Sequence, residues 1–242
     1  MRKFVIPAII ISFWAVTMAV LVKKEILPSL APAPSFQSLK EGHYKMKILV
    51  GSYHIGDMET SIERNTDNSF SINEKYTIRK SYLTKDSDFQ LAGNIQTTPN
   101  SELKSFFFSL TMFGDITTLV GYQRDDYIEL ITTKKGETSV QKVPGKKRSI
   151  FSGSLMPLFD MNNLSIGREW SIEWMNPLSS SKPETAQAKV EAKEMITVEG
   201  KNIETFLVTL EYQKTLFRLW VDMKGEIIKY SGFGFTLIRE GL

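Results

Sequence analysis

Phe70-Ser71-Ile72-Asn73-Glu74-Lys75-Tyr76-Thr77-Ile78-Arg79 places Phe70, Ile72, Tyr76 and Ile78 in alternation with Ser71, Asn73, Lys75, Thr77 and Arg79. Side chains two apart share a face only in an extended chain, so this pattern reads as a half-buried β-strand. Working outward, Tyr44, Met46, Ile48 and Val50 alternate with Lys45 and Lys47, broken only at Leu49. Phe206, Val208, Leu210 and Tyr212 do the same against Thr205, Thr209, Glu211 and Gln213. Turn-forming residues separate the runs: Gly51 and Gly56, Thr66-Asp67-Asn68, Lys134-Lys135-Gly136, and Asp222-Met223-Lys224-Gly225. In the last, Gly225 supplies the positive φ of a tight turn.

Strands rich in Thr, Val, Ile, Tyr and Phe, recurring about every ten residues, predict a curved antiparallel sheet or unclosed β-barrel. The fold class is all-β with minor α: an N-terminal transmembrane helix, then the sheet, with one or two short helices. The best helix candidate is Ser152 to Leu164, where Ser154 caps and Leu155, Leu158, Phe159 and Met161 form an apolar face. Ser101 to Met112 reads either as a buried strand or as one side of a helix.

The run from Phe4 to Val22 carries no charged side chain. As a helix it spans roughly 28 Å, close to the hydrocarbon thickness of a bilayer. Arg2 and Lys3 precede it, and Lys23, Lys24 and Glu25 follow. A cleaved signal peptide competes with an uncleaved anchor, but Leu21-Val22-Lys23-Lys24 is a poor cleavage context and the apolar run is long for a signal sequence. Lipid acylation of a cysteine is excluded, because the chain has none. The basic N-terminus favours a cytoplasmic start in the inner membrane, with the main domain in the periplasm or otherwise outside the cytoplasm. Residues 1–25 thus read as anchor, 26–37 as a Pro-rich spacer and 38–242 as one outer domain.

Catalytic chemistry finds little support. His43 and His54 are the only histidines and there is no cysteine, so zinc-ligand spacing is missing and no metal or other cofactor is expected. Ser152-Gly153-Ser154 lacks the nucleophile elbow. Asp125 and Asp126 are adjacent, so on a strand they point to opposite faces, and a solvated turn accounts for them better. Lys142 with Lys146-Lys147-Arg148 forms the densest basic patch, either a solvated hairpin tip or a contact for phosphate head groups. A net charge of +3 is too mild to imply nucleic acid. Phe106, Phe107, Phe108, Met112, Phe113, Met156, Phe159 and Met161 either pack an ordinary core or line an apolar ligand cavity.

Two stretches carry a family resemblance. His43-Tyr44-Lys45-Met46-Lys47-Ile48-Leu49-Val50-Gly51, followed by Ile55-Gly56-Asp57-Met58, resembles the opening hairpin of exported bacterial half-barrel domains. Phe217-Arg218-Leu219-Trp220-Val221-Asp222-Met223-Lys224-Gly225-Glu226-Ile227-Ile228-Lys229 resembles the late hairpin of the lipoprotein-carrier-like (LolA/LolB-like) superfamily. Gly167-Arg168-Glu169-Trp170 and Asn176-Pro177 fit the middle of such domains. The resemblance implies an unclosed barrel around a helix, with an apolar interior suited to acyl chains, and no catalytic residues. The expected function is a non-catalytic, membrane-anchored module binding a lipid or lipoprotein acyl chain. The alternative is a structural subunit of an envelope complex with a self-filled core.

Overall fold

The computed structural model describes residues 36–37, 41–79, 89–100, 102–144, 150–151, 160–161, 163–175, 184–212 and 214–242. The anchor and most of the spacer lie outside the described residues, as do Met156 and Phe159. In chain order the strands are β1 (Phe36–Gln37), β2 (Gly42–Val50), β3 (Tyr53–Arg64), β4 (Phe70–Ile78), β5 (Phe89–Thr97) and β6 (Leu103–Met112). Then come β7 (Asp115–Gln123), β8 (Tyr127–Lys134), β9 (Glu137–Pro144), β10 (Ile150–Phe151), β11 (Asp160–Met161) and β12 (Glu169–Met175). The last are β13 (Glu184–Val198), β14 (Lys201–Tyr212), β15 (Thr215–Asp222), β16 (Ile227–Gly232) and β17 (Phe235–Arg239).

Among the described residues there is no helix. Leu103–Met112, ambiguous in sequence, is strand β6. Of the expected helix Ser152–Leu164, residues 152–159 lie outside the described residues, and Asp160–Met161 is strand rather than helix. It pairs with Phe36–Gln37, and the Met161 amide donates to the Gly225 carbonyl at 3.0 Å.

A single 15-stranded sheet runs β10-β12-β13-β14-β15-β16-β17-β2-β3-β4-β5-β6-β7-β8-β9, antiparallel throughout except for β10 beside β12. The outermost strands, β9 and β10, are consecutive in the chain. Residues 145–149 join them, and so short a link spans at most roughly 20 Å. The sheet therefore curls until its two edges approach, an unclosed barrel whose seam lies between β9 and the β10–β12 side.

One face of this sheet is continuous and apolar. Its register runs Val208, Leu219, Tyr230, Leu237, Ile48 and Gly56 across neighbouring strands. A second row runs Met46, Met58, Tyr76, Leu91 and Leu110. Nearly all of these side chains are buried, and they belong to one core cluster. The opposite face is polar over β3–β5: the Asn94 amide donates to Asn73 at 2.7 Å and the Gln96 amide to Ser71 at 2.7 Å.

Antiparallel pairing also assigns each turn to an end. The turns at 51–52, 113–114, 135–136 and 233–234 and the end of β14 at Tyr212 share one end, the distal end. Those at 65–68, 98–102, 124–126, 199–200 and 222–226 share the proximal end, where β2 begins.

Candidate functional site

The inner, apolar face is the candidate site, and glycines shape it. A Cβ on Gly121 would sit 2.2 Å from the Phe106 ring, and one on Gly93 would sit 2.4 Å from the Phe108 ring. Gly121 faces Phe106 and Gly93 faces Phe108 across the strands, so each ring lies in the notch its glycine leaves. Gly232 and Phe217 repeat the device, with a Cβ-to-ring distance of 2.3 Å. Removing a side chain opposite a ring lets a wide aromatic lie flat on the sheet, and such positions accommodate sheet curvature.

Phe106 and Phe108 are therefore inward and buried, at 2% and 0% exposure, with ring centroids 5.5 Å apart. Phe107 points outward and is 44% exposed. Met112 and Phe113 sit at the β6–β7 turn, largely in solvent, and Met161 is buried against the core. The structure thus brings Phe106, Phe108 and Met161 into the interior cluster and leaves Phe107, Met112 and Phe113 outside it.

The interior is not uniformly sealed. A set of apolar side chains at both ends of the sheet is only partly buried while packing on the core. Ile55, Ile78, Phe89, Leu110 and Phe235 lie toward the distal end, Tyr44, Leu164 and Ile227 toward the proximal end, and Leu119 in mid-strand.

Polar groups punctuate this face. Glu74 is 3% exposed, between Thr60 on β3 and Gly93 on β5. Tyr230 is fully buried, and burial pushes its phenol far above the usual tyrosine range. Arg168 is buried beside β12: one guanidinium nitrogen donates to the Asn163 carbonyl at 2.7 Å, and Nη2 has no hydrogen-bond partner among the described residues. Desolvation lowers its pKa. Arg239 and Glu226 form a largely buried ion pair of 2.6 Å, with the Arg239 guanidinium over the Tyr44 ring at 4.8 Å.

The remaining sequence candidates are scattered. His43 pairs with Ser61 and His54 with Leu49, placing the two histidines at opposite ends of the β2–β3 hairpin. Arg79 donates to His54 Nδ1 at 3.0 Å, which makes Nδ1 the acceptor and leaves Nε2–H to face Asp57 at 2.8 Å. Asp125 and Asp126 lie in the β7–β8 turn, whose neighbour Arg124 pairs with Glu129 at 2.6 Å. Lys142 lies 4.9 Å over the Tyr127 ring on β8–β9, while Lys146-Lys147-Arg148 lies outside the described residues. No group of three His, Cys, Asp or Glu able to hold a metal ion occurs among the described residues. Sequence reasoning missed the glycine notches, although Gly93 and Gly121 both interrupt otherwise regular strands.

No family model and no curated protein matches the chain. A β-barrel-like protein of domain of unknown function DUF1849 from Brucella abortus is similar in structure: TM-score 0.52, 8% identity, 84% of this chain and 96% of that chain covered. A DUF1089 family protein from Pseudomonas aeruginosa superposes with a TM-score of 0.41 at 13% identity, covering 72% of this chain and 89% of that one. The first likeness shows the fold, a barrel-like β-sheet, and both proteins carry family descriptions without a function.

Proposed function

We propose that the domain is a non-catalytic binding module of the cell envelope, tethered by residues 1–25, whose interior admits a lipid or lipoprotein acyl chain. The observation that supports this reading is the partly open apolar surface of Ile78, Phe89, Leu110 and Leu119, continuous with the buried inner rows. An acyl chain needs a concave apolar surface reachable from one end, and its burial is worth about 0.8 kcal/mol per methylene. The resemblance to lipoprotein carriers points the same way.

Native mass spectrometry of the full-length protein tests the reading. Lipid-sized adducts are expected on the wild type and are lost in Leu110→Arg and Leu119→Arg. A wild type that carries no lipid and takes up none from added phospholipid vesicles sinks it.

A second reading, a structural subunit with a self-filled core, is favoured by the full burial of Phe217, Leu219, Tyr230 and Leu237. It calls for a specific protein neighbour in membrane cross-linking and for no lipid adduct.

A further inference from the structure

The exposed apolar side chains among the described residues are concentrated at one end of the barrel, with Phe107 and Val140 in mid-strand. Val50, Tyr53, Met112, Phe113, Ile116, Leu216 and Phe233 all flank or occupy distal turns. Tyr53 is 68% exposed and Phe113 64%, and the other five fall between 43% and 58%. The proximal turns carry Asp67, Glu102, Asp125, Asp126, Glu199, Asp222 and Glu226 against Arg124 and Lys224; the exposed apolar residues at or beside them are Tyr122, Ile166 and Met223, with Met195 four residues from the turn at 199–200.

Two of the distal tips also contradict turn chemistry. Phe113-Gly114 and Phe233-Gly234 have both central residues at positive φ, 54° and 79° in one and 50° and 83° in the other. Such two-residue turns favour Asn-Gly or Asp-Gly, because a bulky residue in the left-handed region is disfavoured. Phe233 recovers part of this by packing edge-on to Phe217 at 4.8 Å. At Phe113 the ring is presented to solvent from a backbone conformation that works against it.

We propose that the distal rim is a membrane-docking surface, with Tyr53, Phe113, Ile116, Leu216 and Phe233 entering the interfacial layer of a phospholipid bilayer. The tips are spread around the rim. The tips lie on the arc of the sheet from β14 to β7, ten strands in its order, or roughly 43 Å along the sheet at ~4.8 Å per strand. Tips of neighbouring hairpins stand two strands, about 10 Å, apart. A flat bilayer surface meets such spaced tips together.

Side-chain type agrees with this partner. Aromatic residues are favoured at head-group depth, and Leu and Ile in the acyl boundary beneath. Charge agrees as well: Lys134, Lys135 and Lys214 outnumber Asp115 and Glu137 in the distal turns, and Asp115 is engaged by Lys135 at 3.0 Å. Lysines beside apolar tips complement lipid phosphates, and the acidic turns lie at the other end. The inference rests on residues outside the interior and holds whether or not an acyl chain enters it.

The absence of cysteine makes the test clean. Single variants Tyr53→Cys, Phe113→Cys and Phe233→Cys, with proximal controls Asn68→Cys and Asp126→Cys, would carry an environment-sensitive nitrobenzoxadiazole probe. Each full-length protein is reconstituted into phosphatidylcholine–phosphatidylglycerol vesicles containing nitroxide-labelled lipid, and thermal melts confirm its folding. Distal probes are expected to shift to the blue and to be quenched several-fold more than proximal ones. Equal quenching at the two ends overturns the proposal. So does a blue shift without nitroxide quenching that grows with protein concentration, since that pattern means the tips are buried against a second copy. Rim quenching in a protein that shows no lipid adduct keeps the docking surface while removing the acyl-chain reading.

Discussion

Phe106 and Phe108 fill space that Gly121 and Gly93 leave open, so the glycines belong to the packing of the rings. Gly121→Ala puts a methyl group 2.2 Å from the Phe106 ring, which is buried and cannot swing aside. Overpacking of this kind costs about 1–3 kcal/mol, so Gly121→Ala is expected to unfold at lower urea. Adding Phe106→Leu should relieve part of the strain, making the double variant less destabilised than the sum of the single changes. Strict additivity in the urea midpoints would remove this account of the notch. Phe113 gives the opposite sign. Replacing it by Asn relieves a left-handed bulky residue and is expected to stabilise the domain by about 1 kcal/mol. Thermal denaturation checks the gain, and the same variant should weaken lipid quenching at a probe on position 53. A loss of stability in Phe113→Asn would show that the ring supports the fold and is not held for an outside partner. In the sequence these residues were the least legible. Three phenylalanines in a row hide a period of two, and Phe113-Gly114 reads as apolar filling until the turn dihedrals show a hairpin tip.

The hairpin of β13 and β14 is longer than the strands beside it. Thr205 is the β14 residue nearest the tip that pairs with β15, opposite Asp222, so Lys201–Glu204 extend past the end of β15. The overhanging tip reaches β2 and the C-terminal segment. The Lys47 ammonium donates to Glu199 at 3.2 Å and lies 3.0 Å from Glu240, and the Gly241 amide donates to Glu199 at 3.2 Å. Lys47 and then the Gly241 amide hold the Glu199 carboxyl below its ordinary value of 4.5. Glu240 and Glu199 in turn raise Lys47 above 10.5. A depressed carboxylate contributes above its unfolded pKa and loses that contribution as pH falls through its folded value. A raised lysine contributes below its unfolded pKa and loses it as pH rises through its folded value. Tip docking is therefore expected across neutral pH and to loosen both in the acid range below 4.5 and above 10.5. Because these groups are exposed, the effect is local and is read by amide exchange or chemical shifts at Gly200 and Gly241, not by global stability. Glu199→Gln should loosen the tip at neutral pH and flatten its acid response; an unchanged acid response would assign the contact elsewhere. The elements themselves were largely legible. The alternations at Phe70–Ile78 and Phe206–Tyr212 became β4 and part of β14, and Gly225 has the positive φ its turn needs, 88°. Gly56 was misread as a turn: it lies inside β3, where a Cβ would meet the Thr77 carbonyl oxygen at 2.2 Å. A glycine required for close strand approach looks, in sequence, like a glycine required for a turn.

At the scale of the molecule, alternation and turn spacing announce an antiparallel β-domain but cannot place its seam, because the pairing between distant strands is a property of three-dimensional closure. Leu237 pairs with Ile48, which joins the last strand to the first long one and puts the middle of the chain at both edges. The shared rim was hidden for the same reason: Tyr53, Phe113 and Phe233 come to one end only once strand directions are known. The seam itself can be measured. Lys134 and Glu137 flank a two-residue turn, so they form a hydrogen-bonded pair, and bonded pairs alternate from there along β8–β9. Thr138, Val140 and Lys142 accordingly turn their amides away from β8, toward the seam. In an unclosed barrel these three amides exchange with solvent at nearly the rate of unstructured chain. Ser139, Gln141 and Val143 are held by β8 and exchange more slowly. Leu219, Tyr230 and Leu237, on inner strands with neighbours on both sides, should be the slowest of all. Hydrogen exchange resolved to single amides gives the answer. Strong protection at Thr138, Val140 and Lys142 would mean that β9 has found a partner strand and that the barrel closes in solution. An open seam leaves β9 the first strand to detach, so proteolysis of the folded protein should begin on it and leave the β14–β3 arc intact.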